Sequence, residues 1–139
     1  MESFERRGRE DQSPSPQRVG LRVLLVDDDA ATLKLLTDFL EREGLTVVSV
    51  GDALQAIDAL SREDFDMVVT DYNMPMVTGE QLLRTMKALP GGRDIPVIVV
   101  SAVEEPGLED RLLRQGAAFF LRKPVDFDQL LALLRFAGA

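Results

Sequence analysis

Cysteine is absent from the 139 residues, so neither a disulfide framework nor a thiolate metal site is available. Histidine is absent too. That excludes a histidine-based catalytic triad, a histidine-ligated metal and a phosphohistidine carrier. No apolar run reaches the ~18 residues that a bilayer span requires. The opening stretch Met1-Glu2-Ser3-Phe4-Glu5-Arg6-Arg7 lacks the apolar segment of a secretory signal. Together these absences make a cytoplasmic protein without membrane insertion the expectation.

What is present is an ordinary globular balance, 45% hydrophobic and 29% charged, in a length that suits one domain. The net charge of −8 is unevenly placed. Residues 1–20 hold four acids (Glu2, Glu5, Glu10, Asp11) and four bases (Arg6, Arg7, Arg9, Arg18), so the whole excess falls on residues 21–139. So acidic a domain is a poor partner for a phosphate backbone, and direct nucleic-acid binding is not expected. Residues 1–20, with Ser13-Pro14-Ser15-Pro16 at their centre, carry too little apolar surface to offset ordering entropy and read as a disordered tail.

From residue 21 the pattern becomes periodic. Residues 21–26 are an apolar run that ends abruptly in Asp27-Asp28-Asp29, as a buried parallel strand does. Leu33, Leu36 and Leu40 then recur at helical spacing, and Gly44 stops that helix. Residues 46–50 form the second expected strand. Asp52 is placed to cap a helix carrying Leu54, Ile57 and Leu60. Residues 67–70 run directly into Asp71, and a helix with Leu82, Leu83 and Met86 starts at Thr78 or Gly79. The fourth strand is expected at 96–100, followed by a helix opened by Pro106 and carrying Leu108, Leu112 and Leu113. The fifth lies at 119–121, before a helix capped by Asp126 with Phe127, Leu130, Leu131 and Leu134 on one face. Five short apolar strands alternating with five amphipathic helices imply an α/β fold, a parallel sheet covered on both faces.

Such sheets bind ligands outside the carboxyl ends of their strands. The notable polar residues stand at those ends: Asp27-Asp28-Asp29, Asp71, Ser101 and Lys123. Each has an ordinary reading. Adjacent aspartates can simply face water, with Asp29 capping the next helix; Asp71 can form a turn before Pro75; Ser101 can cap a helix; Lys123 can be a surface lysine. Taken together they supply an acid pair for a hard cation such as Mg²⁺, a carboxylate nucleophile, a hydroxyl and an ammonium. Those are the parts that phosphoryl transfer needs.

These residues carry a resemblance to a known family. Val23-Leu24-Leu25-Val26-Asp27-Asp28-Asp29, Asp71-Tyr72-Asn73-Met74-Pro75 followed by Gly79, Ser101-Ala102 and Lys123-Pro124 resemble the signatures of two-component response-regulator receiver domains, including single-domain chemotaxis regulators. The resemblance runs over about residues 21–136 and marks 21–139 as the receiver. It implies a doubly wound, flavodoxin-like sheet in strand order 2-1-3-4-5. It makes Asp71 the phosphoacceptor and Asp28 a direct Mg²⁺ ligand, with Asp27 acting through water and Asn73 giving its backbone carbonyl. Ser101 would bond the phosphoryl oxygens, Lys123 would pair with Asp71, and the Lys123–Pro124 peptide would be cis. Phe120 occupies the place of the switch aromatic, without the hydroxyl of the commoner tyrosine, and Ser101 stands for the commoner threonine. Val103 is apolar where some members carry an acid or amide that affects phosphate lifetime.

The implied partners are a sensor histidine kinase or histidine phosphotransfer protein as donor, and a downstream effector read through about residues 106–135. A phosphorylation-dependent homodimer is compatible with the same face. Only Ala137-Gly138-Ala139 follow Phe136, so output is expected to pass through another protein. Two other classes compete. A haloacid-dehalogenase-type phosphatase needs D-x-D-x-T, but Asp27-x-Asp29 is followed by Ala31 at the required place, with Thr32 one position late. A phosphorylation-independent scaffold with a receiver fold would be expected to have lost an acid, the acceptor or the lysine, and none is missing.

Overall fold

The computed structural model describes residues 20–138. The expected tail at 1–20 therefore lies, apart from Gly20, outside the described residues. Among them, five strands alternate with five helices: β1 (Arg22–Val26), α1 (Ala30–Arg42), β2 (Thr46–Val50), α2 (Ala53–Arg62), β3 (Met67–Asp71), α3 (Gly79–Ala88), β4 (Val97–Ser101), α4 (Leu108–Arg114), β5 (Phe119–Arg122) and α5 (Phe127–Ala137). The strands pair in parallel in the order β2-β1-β3-β4-β5, as the family resemblance implied. None of the described helices is long and apolar enough to cross a membrane.

The pleat sorts each strand's side chains onto two faces. Leu24, Val26, Val68, Val97 and Val99 enter one core with Leu82, Met86, Leu108 and Leu112 from α3 and α4. Val23, Leu25, Met67, Val69, Ile98 and Val100 enter the other with Leu36, Leu40, Leu130 and Leu134 from α1 and α5. Every residue of β3 and β4 is buried, which explains the apolar runs Met67–Val69 and Val97–Val100 that precede their polar ends.

Helix starts follow the capping residues. Asp29, Asp52 and Asp126 each accept a backbone N–H of the first turn, and Thr78 forms a reciprocal capping box with Gln81. Two expectations need correction. The buried face of α2 is Ala53, Ala56 and Ala59; Ile57 and Leu60 are only partly buried, and Leu54 is 62% exposed. Small side chains on that face let α2 pack close to the sheet. Pro106 also does not open α4: Pro106 and Gly107 form a turn, with Gly107 at φ 81°, and the helix begins at Leu108. Its Leu113 is 39% exposed.

From β1 the chain winds to β2 on one side, then crosses back to β3 on the other. The crevice of a doubly wound sheet opens at such a reversal, here above the carboxyl ends of β1 and β3.

Candidate functional site

Asp27 and Asp28 leave the end of β1, and Asp71 is the last residue of β3. Carboxylate oxygens from the three lie within 4.8 Å of one another. Lys123, one residue past β5, reaches the same point: its Nζ is 3.2 Å from Asp71 Oδ1 and 3.6 Å from Asp27 Oδ2. The backbone is pinned where each side chain departs. Asp27 N–H donates to the Val50 carbonyl at 3.2 Å, Tyr72 N–H to Val100 at 2.8 Å and Lys123 N–H to Ser101 at 3.0 Å. The sheet ladder thus continues into the loops and fixes the directions of the acids and the lysine. Asp27 Oδ1 also accepts the Asp29 N–H at 2.9 Å.

Burial differs within the group. Asp27 and Asp71 are buried, while Asp28 is exposed. Burial raises the Asp71 carboxyl above its ordinary value, and the Asp27 charge adds to that, while Lys123 opposes both. For Lys123, burial works against the ammonium, but the Asp71 and Asp27 charges outweigh it and the net shift is upward. Three carboxylates face one ammonium, a surplus of negative charge that favours a cation. The donors are hard oxygens converging at one point, one of them exposed, which fits Mg²⁺ with its preference for few carboxylates and several waters.

The other expected site residues gather nearby. Asn73 lies two residues past Asp71 with its side chain exposed. Ser101 is fully buried at the end of β4, and its Oγ accepts the Val103 N–H at 2.9 Å, so it caps a local turn and not α4. Phe120 is partly buried against the α3–α4 core, with the Arg122 guanidinium 5.6 Å from its ring centroid. The Lys123–Pro124 peptide bond is cis. Asp29 is the N-cap of α1, and the Thr32 hydroxyl that it accepts lowers its carboxyl pKa.

The close approach at Gly79 and the bridge made by Arg111 were not read from the sequence. Gly79 begins α3 against the backbone of β3: its N–H donates to the Tyr72 carbonyl at 2.8 Å, and a Cβ there would lie 2.3 Å from the Asp71 carbonyl oxygen. Arg111 of α4 bridges Glu80 of α3 at 2.9 Å and Glu105 at 2.7 Å, and lies 3.4 Å from the Tyr72 hydroxyl. The Arg111 hydrogen bond holds the Glu80 carboxyl below its usual range, and both acids raise the guanidinium. The residue following Asp71 is thus linked to the α3–α4 surface. Positions 80 and 111 show no sequence relation that would pair them.

The response regulator receiver domain description matches residues 23–135. The sensory/regulatory protein RpfC of Xanthomonas campestris pv. campestris is 36% identical over 116 residues, 82% of this chain but 16% of that protein. The two-component response regulator ORR24 of Oryza sativa subsp. indica is 38% identical over 125 residues, 88% of this chain and 19% of the relative. The chain thus spans under a fifth of either relative's length. Among solved structures, the receiver domain of sensor histidine kinase PA1611 from Pseudomonas aeruginosa PAO1 superimposes with a TM-score of 0.75 at 29% identity. The match covers 86% of this chain and 99% of that one, which was solved with a magnesium ion coordinated in its active-site cleft.

Proposed function

Because the chain belongs to the response regulator receiver domain family, we propose that residues 21–139 accept a phosphoryl group on Asp71 from a histidine kinase or a histidine phosphotransfer protein. The observation that carries this reading is the Lys123 ammonium 3.2 Å from a buried Asp71, at the point where three carboxylates converge. A carboxylate oxygen of Asp71 attacks phosphorus; the new P–O bond forms as the donor's P–N bond breaks, and the released imidazole takes up a proton. Asp27, Asp28, Asp71 and the Asn73 carbonyl would hold Mg²⁺. When bound, the ion neutralises charge on the phosphoryl oxygens. Lys123 supplies a second cationic partner on the β5 side.

A groove of about 550 Å³ opens beside Lys123, lined by Leu35, Leu36, Pro124, Val125 and Phe127 among others. Leu35 is 61% exposed there. This apolar surface next to the acceptor suits a helix of the donor protein.

After transfer, the Ser101 hydroxyl turns from the Val103 N–H to the new phosphoryl oxygens, and Phe120 packs further inward. The α4–β5–α5 surface then changes its affinity for an effector, in proportion to how differently the effector binds the two states. Intact-protein mass after incubation with a small-molecule phosphodonor tests the first step. Wild type should gain one phosphoryl group only with Mg²⁺, and Asp71→Asn should gain none. An Asp71→Asn variant that still gains the group would remove Asp71 from its role. Wild-type behaviour of that variant in the cell would favour a phosphorylation-independent scaffold.

A further inference from the structure

Among the described residues, the Arg111 side chain bonds Glu80, Glu105 and Tyr72, none of which holds the metal or the phosphoryl group in the proposed chemistry. Its guanidinium nonetheless joins three segments to α4. Nε and Nη2 donate to the two carboxylate oxygens of Glu80 on α3, at 2.9 and 3.1 Å. Nη1 donates to Glu105, in the loop between β4 and α4, at 2.7 Å. Nη2 also lies 3.4 Å from the hydroxyl of Tyr72, the residue after Asp71. A planar guanidinium held by both oxygens of one carboxylate keeps its remaining donors aimed in a fixed direction. The Glu80 side chain is 15% exposed and that of Glu105 is 41% exposed. The α3 end of the bridge is therefore firm, and the loop end is the one that can let go.

The loop that Glu105 anchors begins at Ser101. The Ser101 hydroxyl accepts the Val103 N–H at 2.9 Å, and the Leu108 N–H donates to the Glu105 carbonyl at 3.1 Å where α4 starts. Glu105 thus stands between the buried serine and the helix. When Ser101 turns toward a phosphoryl group, the Val103 N–H loses its acceptor, and residues 102–105 must shift to find another partner or water. A Glu105 held on Arg111 resists that shift, because Arg111 is itself held on Glu80. Glu104, one position earlier, is exposed and takes no part in the bridge.

We propose that Arg111 is a positioning residue that latches the β4–α4 loop, through Glu105, in the arrangement that Ser101 must leave, and so sets the bias of the switch before phosphorylation. The inference rests on the roles proposed above for Asp71 and Ser101. A contact made in one of two states lowers affinity for any ligand that favours the other. Removing a partly exposed ion pair of this kind should change that affinity by roughly two- to fivefold.

The test compares full-length wild type with Glu105→Ala, Arg111→Met and Glu104→Ala in two measurements. One is titration with beryllofluoride, a phosphoryl mimic, at fixed Mg²⁺. The other is amide hydrogen exchange over residues 102–107 with no mimic present. Glu105→Ala should bind the mimic roughly two- to fivefold more tightly and exchange faster over that segment, and Arg111→Met should do at least as much. Glu104→Ala removes the same charge from the same loop and should change neither. Raising the salt concentration should narrow the gap between Glu105→Ala and wild type, because the tie is ionic and partly exposed. Unchanged exchange in Glu105→Ala would overturn the latch. So would faster exchange without tighter binding, since Arg111 would then only brace the loop, and so would an equal gain in Glu104→Ala. If wild type failed to bind the mimic, the Asp71 reading would fall by itself. Faster exchange in Glu105→Ala would then still support the restraint on the loop, and unchanged exchange would still overturn it.

Discussion

Gly79→Ala should damage the protein at a position where alanine would otherwise help. Gly79 does not occupy the left-handed region, so glycine has no conformational necessity there. Replacing a helical glycine under those conditions normally stabilises by about 0.4–1 kcal/mol. Here the added Cβ would sit 2.3 Å from the Asp71 carbonyl oxygen, 2.9 Å from Tyr72 Cα and 3.0 Å from the Asp71 carbonyl carbon. Ordinary contact begins at 3.4 Å, so the closest pair is 1.1 Å too near, and all three atoms are backbone. The start of α3 must therefore move from the end of β3 by about 1 Å. Overpacking of this kind costs about 1–3 kcal/mol, so the net loss should be about 1–2 kcal/mol. Urea unfolding followed by far-ultraviolet circular dichroism measures it directly. The fluorescence of Tyr72, the single tyrosine in a chain without tryptophan, reports on the site. A displacement of about 1 Å at Asp71, the proposed acceptor, should slow phosphoryl uptake by about 10²-fold. Gly51→Ala is the control, because its Cβ would meet nothing nearer than Gln55 Oε1 at 3.9 Å. If Gly79→Ala matches Gly51→Ala in stability and leaves the Tyr72 signal unchanged, the steric reasoning is wrong.

Mg²⁺ should raise the unfolding midpoint, by the equivalent of about 2.7 kcal/mol at a hundred times its dissociation constant. Asp28→Ala should abolish that rise in a thermal melt, and an undiminished rise would exclude Asp28 as a ligand. The Glu80–Arg111 pair sets an acid limit. The Glu80 pKa lies below its ordinary 4.5 in the folded state, so its contribution is present above that value and fades as pH falls through the depressed one. Arg111→Met should lower stability near neutral pH and flatten the loss on the acid side, which urea midpoints across pH would reveal. Met76 has φ 69° and is 92% exposed, with the Val77 N–H donating to the Pro75 carbonyl at 2.7 Å across it. Asparagine tolerates that region better, so Met76→Asn should stabilise by up to about 1 kcal/mol, read from the same urea curves.

Strands were legible where both faces are buried, because β3 is apolar from Met67 to Val69 and β4 from Val97 to Val100 before their polar ends. The acids at their ends stood out for the same reason, as abrupt polar stops in apolar runs. Helix faces were less legible. In α2 the large residues Leu54, Ile57 and Leu60 drew attention, while the side chains that decide the packing are three alanines. Small residues signal close approach only once the partner surface is known. The start of α4 was misplaced because Pro106 suits a helix opening, whereas Gly107 beside it turns the chain in the left-handed region. The Arg111–Glu80 bridge carries no sequence signal, since pairing across 31 positions depends on how α3 and α4 lie together.

The alternation of the pleat has a consequence for how the domain can diverge. Asp27 and Asp71 share strand parity with the residues that enter the α1–α5 core, while Ser101 and Phe120 share it with those that enter the α3–α4 core. One layer of side chains therefore underlies Asp71, the proposed acceptor, and another underlies Ser101 and Phe120, the proposed switch. On that proposal, repacking the first retunes acceptance, and repacking the second retunes response. A lineage can adjust sender and receiver specificities one layer at a time, with the sheet as the partition between them.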